Sequence, residues 1–148
     1  MGLHFCRKRD NIKYMKKAVN IIINRQNKIL ILKRSSAEHH YPSFWDLPGG
    51  GVEKGESLRK AAEREAKEET GLDVKVDDNY FYVFRCNHGS EIEAFGFKAN
   101  LAGEEILLSR EHIESKWVSI DEYKNFKYTP GATAIIKEFF GNQNYYCS

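Results

Sequence analysis

The residues best suited to chemistry in this 148-residue chain are glutamates between positions 57 and 70. Ser57 suits the N-cap of a helix, and Gly71 suits its C-terminal end because glycine readily adopts left-handed backbone angles. At about 100° per residue, Glu65 and Glu69 fall on the same side of that helix as its alanines. Two carboxylates on an apolar face repel each other and lose solvation unless a cation accompanies them. The pattern therefore predicts a site for a hard divalent cation.

The other charged residues of this helix divide between the rim of the predicted site and the outer face. Glu68 falls at the edge of the glutamate cluster, and Arg64 lies four residues before it, so the two can pair on the helix surface. The charged residues predicted to face solvent are Arg59, Lys60, Glu63 and Lys67. A solvated surface with ion pairs explains this outer set but not Glu65 and Glu69. We therefore expect Glu63 to be dispensable.

The segment 50–72 resembles the Nudix box at every defined position. Gly50 is followed after five residues by Glu56, and after seven more by the run that begins at Arg64 and ends at Leu72. The mildest departure is Ala66, which occupies a position for a bulky aliphatic residue. The stretches 45–50 and 117–122 also resemble the family's flanking segments, so the resemblance extends over about residues 18–140. It implies the Nudix fold.

The resemblance implies a hydrolase that cleaves the diphosphate linkage of a nucleoside diphosphate derivative by means of metal-activated water. It implies that Glu65, Glu68 and Glu69, with the carbonyl of Gly50, bind Mg²⁺ or alternatively Mn²⁺, and that Arg64 belongs to the same catalytic set. A (deoxy)nucleoside triphosphate, cleaved to a monophosphate and pyrophosphate, is the first expected substrate. A dinucleoside polyphosphate, ADP-ribose or a nucleotide sugar is the alternative. A nucleotide-binding module without turnover is less expected, because such modules usually lose box glutamates.

A further acid outside the box is also implied by the resemblance, as a metal ligand or general base. Our candidate for the catalytic set is Glu111, which precedes His112 and a predicted strand that contains Trp117. The nearby alternatives are Glu104, Glu105 and Glu114. No histidine metal site is expected in the loop 35–44, because hard cations prefer oxygen ligands.

Three residues are candidates for substrate binding. Arg34 ends a predicted strand, and its planar donor fork suits a phosphate, although an exposed strand-end charge would give the same pattern. Trp45 could stack on a nucleobase, although aromatic residues at strand spacing are more often part of the core. Asn125 lies in the loop 123–130, which the resemblance makes a candidate nucleobase contact.

Several strands and one more helix must position these residues. The predicted strands are 18–23, 28–33, 74–76, 80–86, 91–99 and 116–119, with hairpins at 24–27 and 87–90. A helical turn is predicted at 119–123, and Thr129 and Pro130 favour the start of a final helix that reaches about Phe140. This order predicts an α/β protein with a mixed β-sheet sandwiched between helices (α/β/α). We expect a loose N-terminal extension at 1–15, a single domain at 16–142 and a C-terminal tail at 143–148.

Composition narrows the class of partner. The net charge is only +2, so no strong field favours nucleic acid or a membrane surface as the main partner. No apolar run is long enough to span a bilayer. The three cysteines lack C-x-x-C spacing, which disfavours a disulfide framework and fits a reducing compartment. We expect a cytoplasmic protein that binds a small-molecule nucleotide, with a homodimer left open.

Overall fold

A mixed β-sheet forms the centre of the computed structural model, which describes residues 2–5, 15–86, 91–101 and 111–143. Only the backbone is described for residues 2–5, 142 and 143. In chain order, the elements are β1 Gly2–Phe5, β2 Lys16–Arg25, β3 Lys28–Arg34, β4 Trp45–Asp46, β5 Gly49–Gly51, α1 Leu58–Thr70, β6 Tyr82–Cys86, β7 Ile92–Asn100, β8 His112–Val118, a 3₁₀ turn Tyr123–Asn125 and α2 Pro130–Gln143.

The sheet is organised around β2. This strand pairs in parallel with β7 over its length, and antiparallel with β5 at residues 18–20 and with β3 at residues 24 and 25. β7 pairs antiparallel with β6, and β6 pairs in parallel with β1. β3 also pairs antiparallel with β4 and β8. β2 pairs directly with β5, which carries the glycines, and β3 pairs with β8, whose first residue His112 lies opposite Arg34, so one sheet holds both segments.

Two helices cover the opposite faces of this sheet. Ala61, Ala62 and Ala66 of α1 are fully buried in one hydrophobic cluster, and Ile21 of β2 belongs to the same cluster. Ile22, the next residue of β2, belongs to the cluster under α2, because successive side chains of a strand point to opposite faces. The predicted α/β/α arrangement with a mixed sheet is therefore confirmed. Among the described residues, no helix is long and apolar enough to cross a membrane.

The local predictions hold best where they depend on near neighbours. The hairpin between β2 and β3 turns at Gln26 and Asn27, both with positive φ (51° and 62°), as in the two-residue turns that suit strand twist. The strands of the second predicted hairpin also pair antiparallel, although its turn at 87–90 lies outside the described residues. The helix predicted from Pro130 is present and extends to Gln143.

Three features differ from the sequence-based expectations. The pattern predicts no strand within 1–15, but Gly2–Phe5 pairs with β6, whereas 6–14 lie outside the described residues. The strand expected at 74–76 is reduced to an isolated bridge between Val76 and Ala99. Cys86 is disulfide-bonded, whereas the cysteine spacing disfavours a disulfide framework. Each feature depends on a distant pairing partner, which local patterns do not specify.

Candidate active site and metal centre

The ends of α1 set the position of its glutamates. Ser57 has extended backbone angles, and its Oγ accepts a hydrogen bond from the backbone N–H of Lys60 at 3.2 Å. Gly71 has a φ of 76°, and its N–H donates to the carbonyl of Lys67. Both caps are as predicted, and they fix which residues of the helix face the sheet.

The glutamates of α1 differ in burial as the helix geometry predicts. Glu69 is only 4% exposed, on the same face as the buried alanines. The side chain of Glu65 is 14% exposed, whereas that of Glu68 is 57% exposed and lies at the rim. Glu63 points away and pairs with Arg59 at 3.3 Å. The inward and outward sets are therefore distinct in position.

Glu69 is held by contacts from two other elements. Its Oε1 accepts a hydrogen bond from the backbone N–H of Gly49 at 2.7 Å, and its Oε2 lies 3.0 Å from Nδ1 of His112. Burial, together with the nearby carboxylates of Asp46, Glu65 and Glu111, raises the pKa of Glu69 to about 9 against the lowering effect of the Gly49 hydrogen bond. A carboxyl group in this condition gains most from a cation, which stabilises its ionised form.

Arg64 connects the remaining carboxylates. Its Nε and Nη2 donate to the two oxygens of Glu56 at 2.8 and 2.9 Å, and its Nη1 donates to Glu65 and Glu68 at 3.0 and 3.2 Å. Nη2 also donates to the carbonyl of Gly51 at 3.0 Å. The hydrogen bonds from Arg64 to Glu56, with a smaller contribution from the backbone N–H of Glu53, lower the pKa of Glu56 to about 2. The sequence predicts only the pair between Arg64 and Glu68, whereas Glu56 is the partner that orients the guanidinium.

The glycines of β5 allow the strand to lie directly against these carboxylates. A Cβ atom on Gly50 would lie 2.5 Å from Cδ and Oε1 of Glu65. A Cβ atom on Gly49 would lie 2.0 Å from the carbonyl oxygen of Val19 in β2. Burial also raises the pKa of Glu65, and the hydrogen bond from Arg64 opposes this shift. Gly50 is thus positioned where its backbone meets the glutamate cluster.

Glu111 and His112 approach the same cluster from the start of β8. One ligand atom from each of Glu69, Glu111 and His112 lies within 4.8 Å of the others. Of the alternative acids, Glu114 lies on β8 and is 3.9 Å from Lys116, whereas Glu104 and Glu105 lie outside the described residues. Glu111 is therefore the candidate acid that lies close to Glu69 among the described residues.

His112 is a site residue that the sequence did not predict. Its side chain is 2% exposed, whereas His39 and His40 of the loop 35–44 are exposed. Burial, together with the charge of Arg34, lowers the pKa of His112 to about 4. The sequence offered one signal for His112, which is its position next to Glu111 at the start of a strand. Its burial could not be predicted, because it depends on how that strand pairs in the sheet.

Arg34 lies beside this cluster but is engaged by protein groups. Its Nε donates to the carbonyl of His40 at 3.1 Å, and its Nη1 and Nη2 lie 3.4 Å from Asp46 and Glu38. Asp46 also accepts hydrogen bonds from Thr129 Oγ1 and from a backbone N–H, while burial raises its pKa. A phosphate at Arg34 would therefore replace or share existing contacts. The role of Asp46 in holding this arginine was not predicted.

The two candidate nucleobase contacts differ in accessibility. Trp45 is only 7% exposed and packs edge-on against Phe126, with ring centroids 5.2 Å apart. Its ring belongs to the core under α2, and this burial argues against base stacking. Asn125 is exposed at the end of the 3₁₀ turn. Its loop is attached to β4 by a hydrogen bond from the Trp45 N–H to the carbonyl of Lys127.

The donor set fits a hard divalent cation. Glu65, Glu68 and Glu69 offer carboxylate oxygens from one side of α1, and the backbone of Gly50 lies beside Glu65. Mg²⁺ and Mn²⁺ both accept such oxygen ligands. Burial raises the pKa of Glu69, and the carboxylates around it add to this shift, so a bound cation would favour its ionised form. The residues present therefore suit the ion that the resemblance implies.

Residues 13–139 match the family model of the NUDIX domain. The chain belongs to the Nudix family. It is 34% identical over 106 residues to a Bacillus subtilis (strain 168) protein provisionally named as an 8-oxo-dGTP diphosphatase, an alignment that covers 72% of this chain and 67% of that protein. A solved MutT protein from Methanosarcina mazei Go1 has a TM-score of 0.77 and 28% identity, with 91% of this chain and 99% of that one covered.

A shorter match is to a protein named for another activity. The ADP-ribose pyrophosphatase of Methanocaldococcus jannaschii is 49% identical over 59 residues, which cover 40% of this chain but only 34% of that protein. The match therefore covers only a segment of that protein. These comparisons establish the family and the fold.

Proposed function

We propose that this protein hydrolyses the diphosphate linkage of a nucleotide, and that its first substrate is a (deoxy)nucleoside triphosphate cleaved to a monophosphate and pyrophosphate. The observation that carries the proposal is the convergence of Glu65 and Glu69 on the buried side of α1, beside Gly49 and Gly50. Buried carboxylates without a cation are unfavourable, so the arrangement is best explained as a metal site that serves phosphate chemistry.

The members of the cluster divide between metal binding and the positioning of the metal ligands in this proposal. Glu65, Glu68 and Glu69, with the carbonyl of Gly50, would hold Mg²⁺ or Mn²⁺. When bound, such an ion neutralises phosphate charge and lowers the pKa of a bound water. Arg64 holds Glu65 and Glu68 in place through its guanidinium.

The chemistry is the addition of one water across a P–O–P linkage. The water oxygen bonds to one phosphorus, the bond from that phosphorus to the bridging oxygen breaks, and a carboxylate accepts the water proton. Glu111 is our candidate for this base, because it is exposed and lies within the cluster formed with Glu69 and His112. The reaction depends mainly on positioning and charge, which a capped helix and a paired strand supply.

Arg34 is proposed to contact a phosphate, and Asn125 is proposed to contact the base. Arg34 pairs with His112 in the register of β3 and β8, its charge acts on the His112 imidazole, and that imidazole lies 3.0 Å from Glu69. Its contacts with Asp46 and Glu38 are long, at 3.4 Å, and phosphate oxygens would form better-matched hydrogen bonds with the same fork. Trp45 has no part in this proposal because of its burial.

The likeness to a protein named for 8-oxo-dGTP supports the triphosphate reading, since 8-oxo-dGTP is a deoxynucleoside triphosphate. ADP-ribose is the second candidate, favoured by the 49% identity over 59 residues to a protein named ADP-ribose pyrophosphatase. The test is a screen of nucleoside triphosphates including 8-oxo-dGTP, Ap4A, ADP-ribose and sugar nucleotides with Mg²⁺. For triphosphates, released phosphate is measured with and without inorganic pyrophosphatase, which reveals pyrophosphate. For Ap4A, ADP-ribose and sugar nucleotides, it is measured after added phosphatase, which cleaves only the newly exposed monoesters.

Turnover of triphosphates with release of pyrophosphate would support the first reading. Turnover only of ADP-ribose or sugar nucleotides would support the second. Binding without turnover of any diphosphate would refute both and indicate a nucleotide-binding module.

The location and assembly of the protein remain predictions. We also propose a cytoplasmic location, as expected from the cysteine spacing. A homodimer is also untested, and sedimentation of the purified protein would decide it.

A further inference from the structure

His112 is a buried imidazole that faces the glutamate cluster. Its side chain is 2% exposed, and Nδ1 lies 3.0 Å from Oε2 of Glu69. Despite this distance, Nδ1 forms no hydrogen bond of acceptable geometry with any described group. A buried nitrogen that lacks a hydrogen bond is costly, so a native arrangement usually provides it with a partner.

The separation of the two atoms suits a shared metal ion. Two ligand atoms that each lie about 2.1 Å from one ion, at a right angle, are about 3.0 Å apart. Glu111 extends the same group, since the ligand atoms of Glu69, Glu111 and His112 lie within 4.8 Å of one another. The other oxygen of Glu69 is held by the Gly49 N–H, which leaves Oε2 directed toward His112.

We propose that Nδ1 of His112 is a ligand of the divalent ion held by Glu69, with the carboxylate of Glu111 beside them as the proposed base. This inference rests on the proposed function, because it requires an ion at Glu69. A nitrogen in the ligand set favours transition ions such as Mn²⁺ and Co²⁺ over Mg²⁺, which prefers oxygen. We therefore predict that this site prefers Mn²⁺ and Co²⁺ to Mg²⁺ more strongly than a site built from oxygen ligands alone.

A purely structural histidine would behave differently. If His112 only oriented Glu69 through a hydrogen bond, an asparagine could replace it, because its amide nitrogen occupies nearly the place of Nδ1. Such an amide nitrogen is not a metal ligand. His112→Asn therefore keeps a hydrogen-bonding group beside Glu69 and removes the ligand nitrogen.

The test is pulsed electron paramagnetic resonance of the full chain with Mn²⁺, which detects nitrogen bound directly to the ion. Wild-type protein should show strong nitrogen coupling, and His112→Asn should lose it. Calorimetric titration should show at least about tenfold weaker Mn²⁺ and Co²⁺ binding in His112→Asn, with a smaller change for Mg²⁺. His39→Asn, which alters an exposed loop histidine, is the matched control and should resemble wild type.

A second variant covers the case in which His112→Asn does not fold. His4, His39, His40 and His88 are together replaced by asparagine, so that His112 is the only histidine. Nitrogen coupling in this chain supports the proposal, and its absence refutes it. Mn²⁺ binding without nitrogen coupling in the wild type would overturn the ligand assignment but leave the proposed function intact. No binding of Mn²⁺ or Mg²⁺ by the wild type would overturn both.

Discussion

Replacing Gly50 by alanine should reduce activity without a matching loss of stability. The new Cβ atom would lie 2.5 Å from the carboxylate of Glu65, whereas ordinary contacts begin near 3.4 Å. The carboxylate must therefore move by about 1 Å, and a displacement of that size at a reacting centre costs roughly 100-fold in rate. The affected atoms are at the free end of a side chain, so the backbone need not shift.

The neighbouring glycines provide matched controls for the same substitution. At Gly51, a Cβ atom meets nothing within 4 Å, so Gly51→Ala should retain wild-type activity and stability. At Gly49, the Cβ atom would lie 2.0 Å from the backbone oxygen of Val19, so the strands must separate. Gly49→Ala should therefore lower the free energy of unfolding by about 3 kcal/mol or more.

The assay combines kcat/KM for Mg²⁺-dependent hydrolysis of the best substrate with urea unfolding of all three variants. We expect Gly51→Ala to have the same kcat/KM as wild type, and Gly50→Ala to have a much lower kcat/KM than either. If Gly50→Ala retains kcat/KM within about twofold of Gly51→Ala, the placement of Glu65 against β5 has no bearing on catalysis, and the reasoning fails.

Three further outcomes follow from the same cluster. Arg64→Lys should reduce kcat/KM by about tenfold or more at unchanged fold, because an ammonium group cannot reproduce the guanidinium contacts with Glu56 and the box glutamates; activity equal to wild type would contradict this. Glu63→Gln should leave kcat/KM unchanged in the same assay, because Glu63 faces away from the cluster. In metal-free protein, the free energy of unfolding should fall by up to about 3 kcal/mol from pH 6.5 to 9, because the folded-state pKa of Glu69 is about 9 and the unfolded chain releases that proton at far lower pH. Between pH 4 and 6.5 the lowered pKa of His112 makes the free energy of unfolding rise with pH, which is the opposite effect. The measurement is therefore urea unfolding with chelator above pH 6.5. Glu69→Gln should abolish the fall.

The helix with its glutamates could be predicted from the sequence because its signals are local. Ser57 and Gly71 mark its ends, and the helical repeat alone separates Glu69 from Glu63. The hairpin turn at Gln26 and Asn27 is local in the same sense. These features therefore match the structure closely.

The contacts across the sheet could not be predicted in this way. His112 is buried because β8 pairs with β3. It lies opposite Arg34, which is 78 positions earlier in the chain. The role of Glu56 as the main partner of Arg64 depends on the loop between β5 and α1 folding back on the helix. Trp45, a candidate for base stacking by residue type, is buried because α2 covers that face. Side-chain surroundings of this kind depend on tertiary packing.

Glu69→Gln tests the central claim most directly. Glutamine hardly changes the volume, and its carbonyl oxygen can still accept the hydrogen bond from the Gly49 N–H, so the fold should be retained. Glu63→Gln changes the same residue type on the opposite side of the helix and is the control. The measurement is Mg²⁺-dependent turnover of the best substrate alongside calorimetric Mg²⁺ binding. We predict that folded Glu69→Gln loses most of both, whereas wild-type turnover and Mg²⁺ binding in this variant would contradict a metal-dependent hydrolase centred on Glu69.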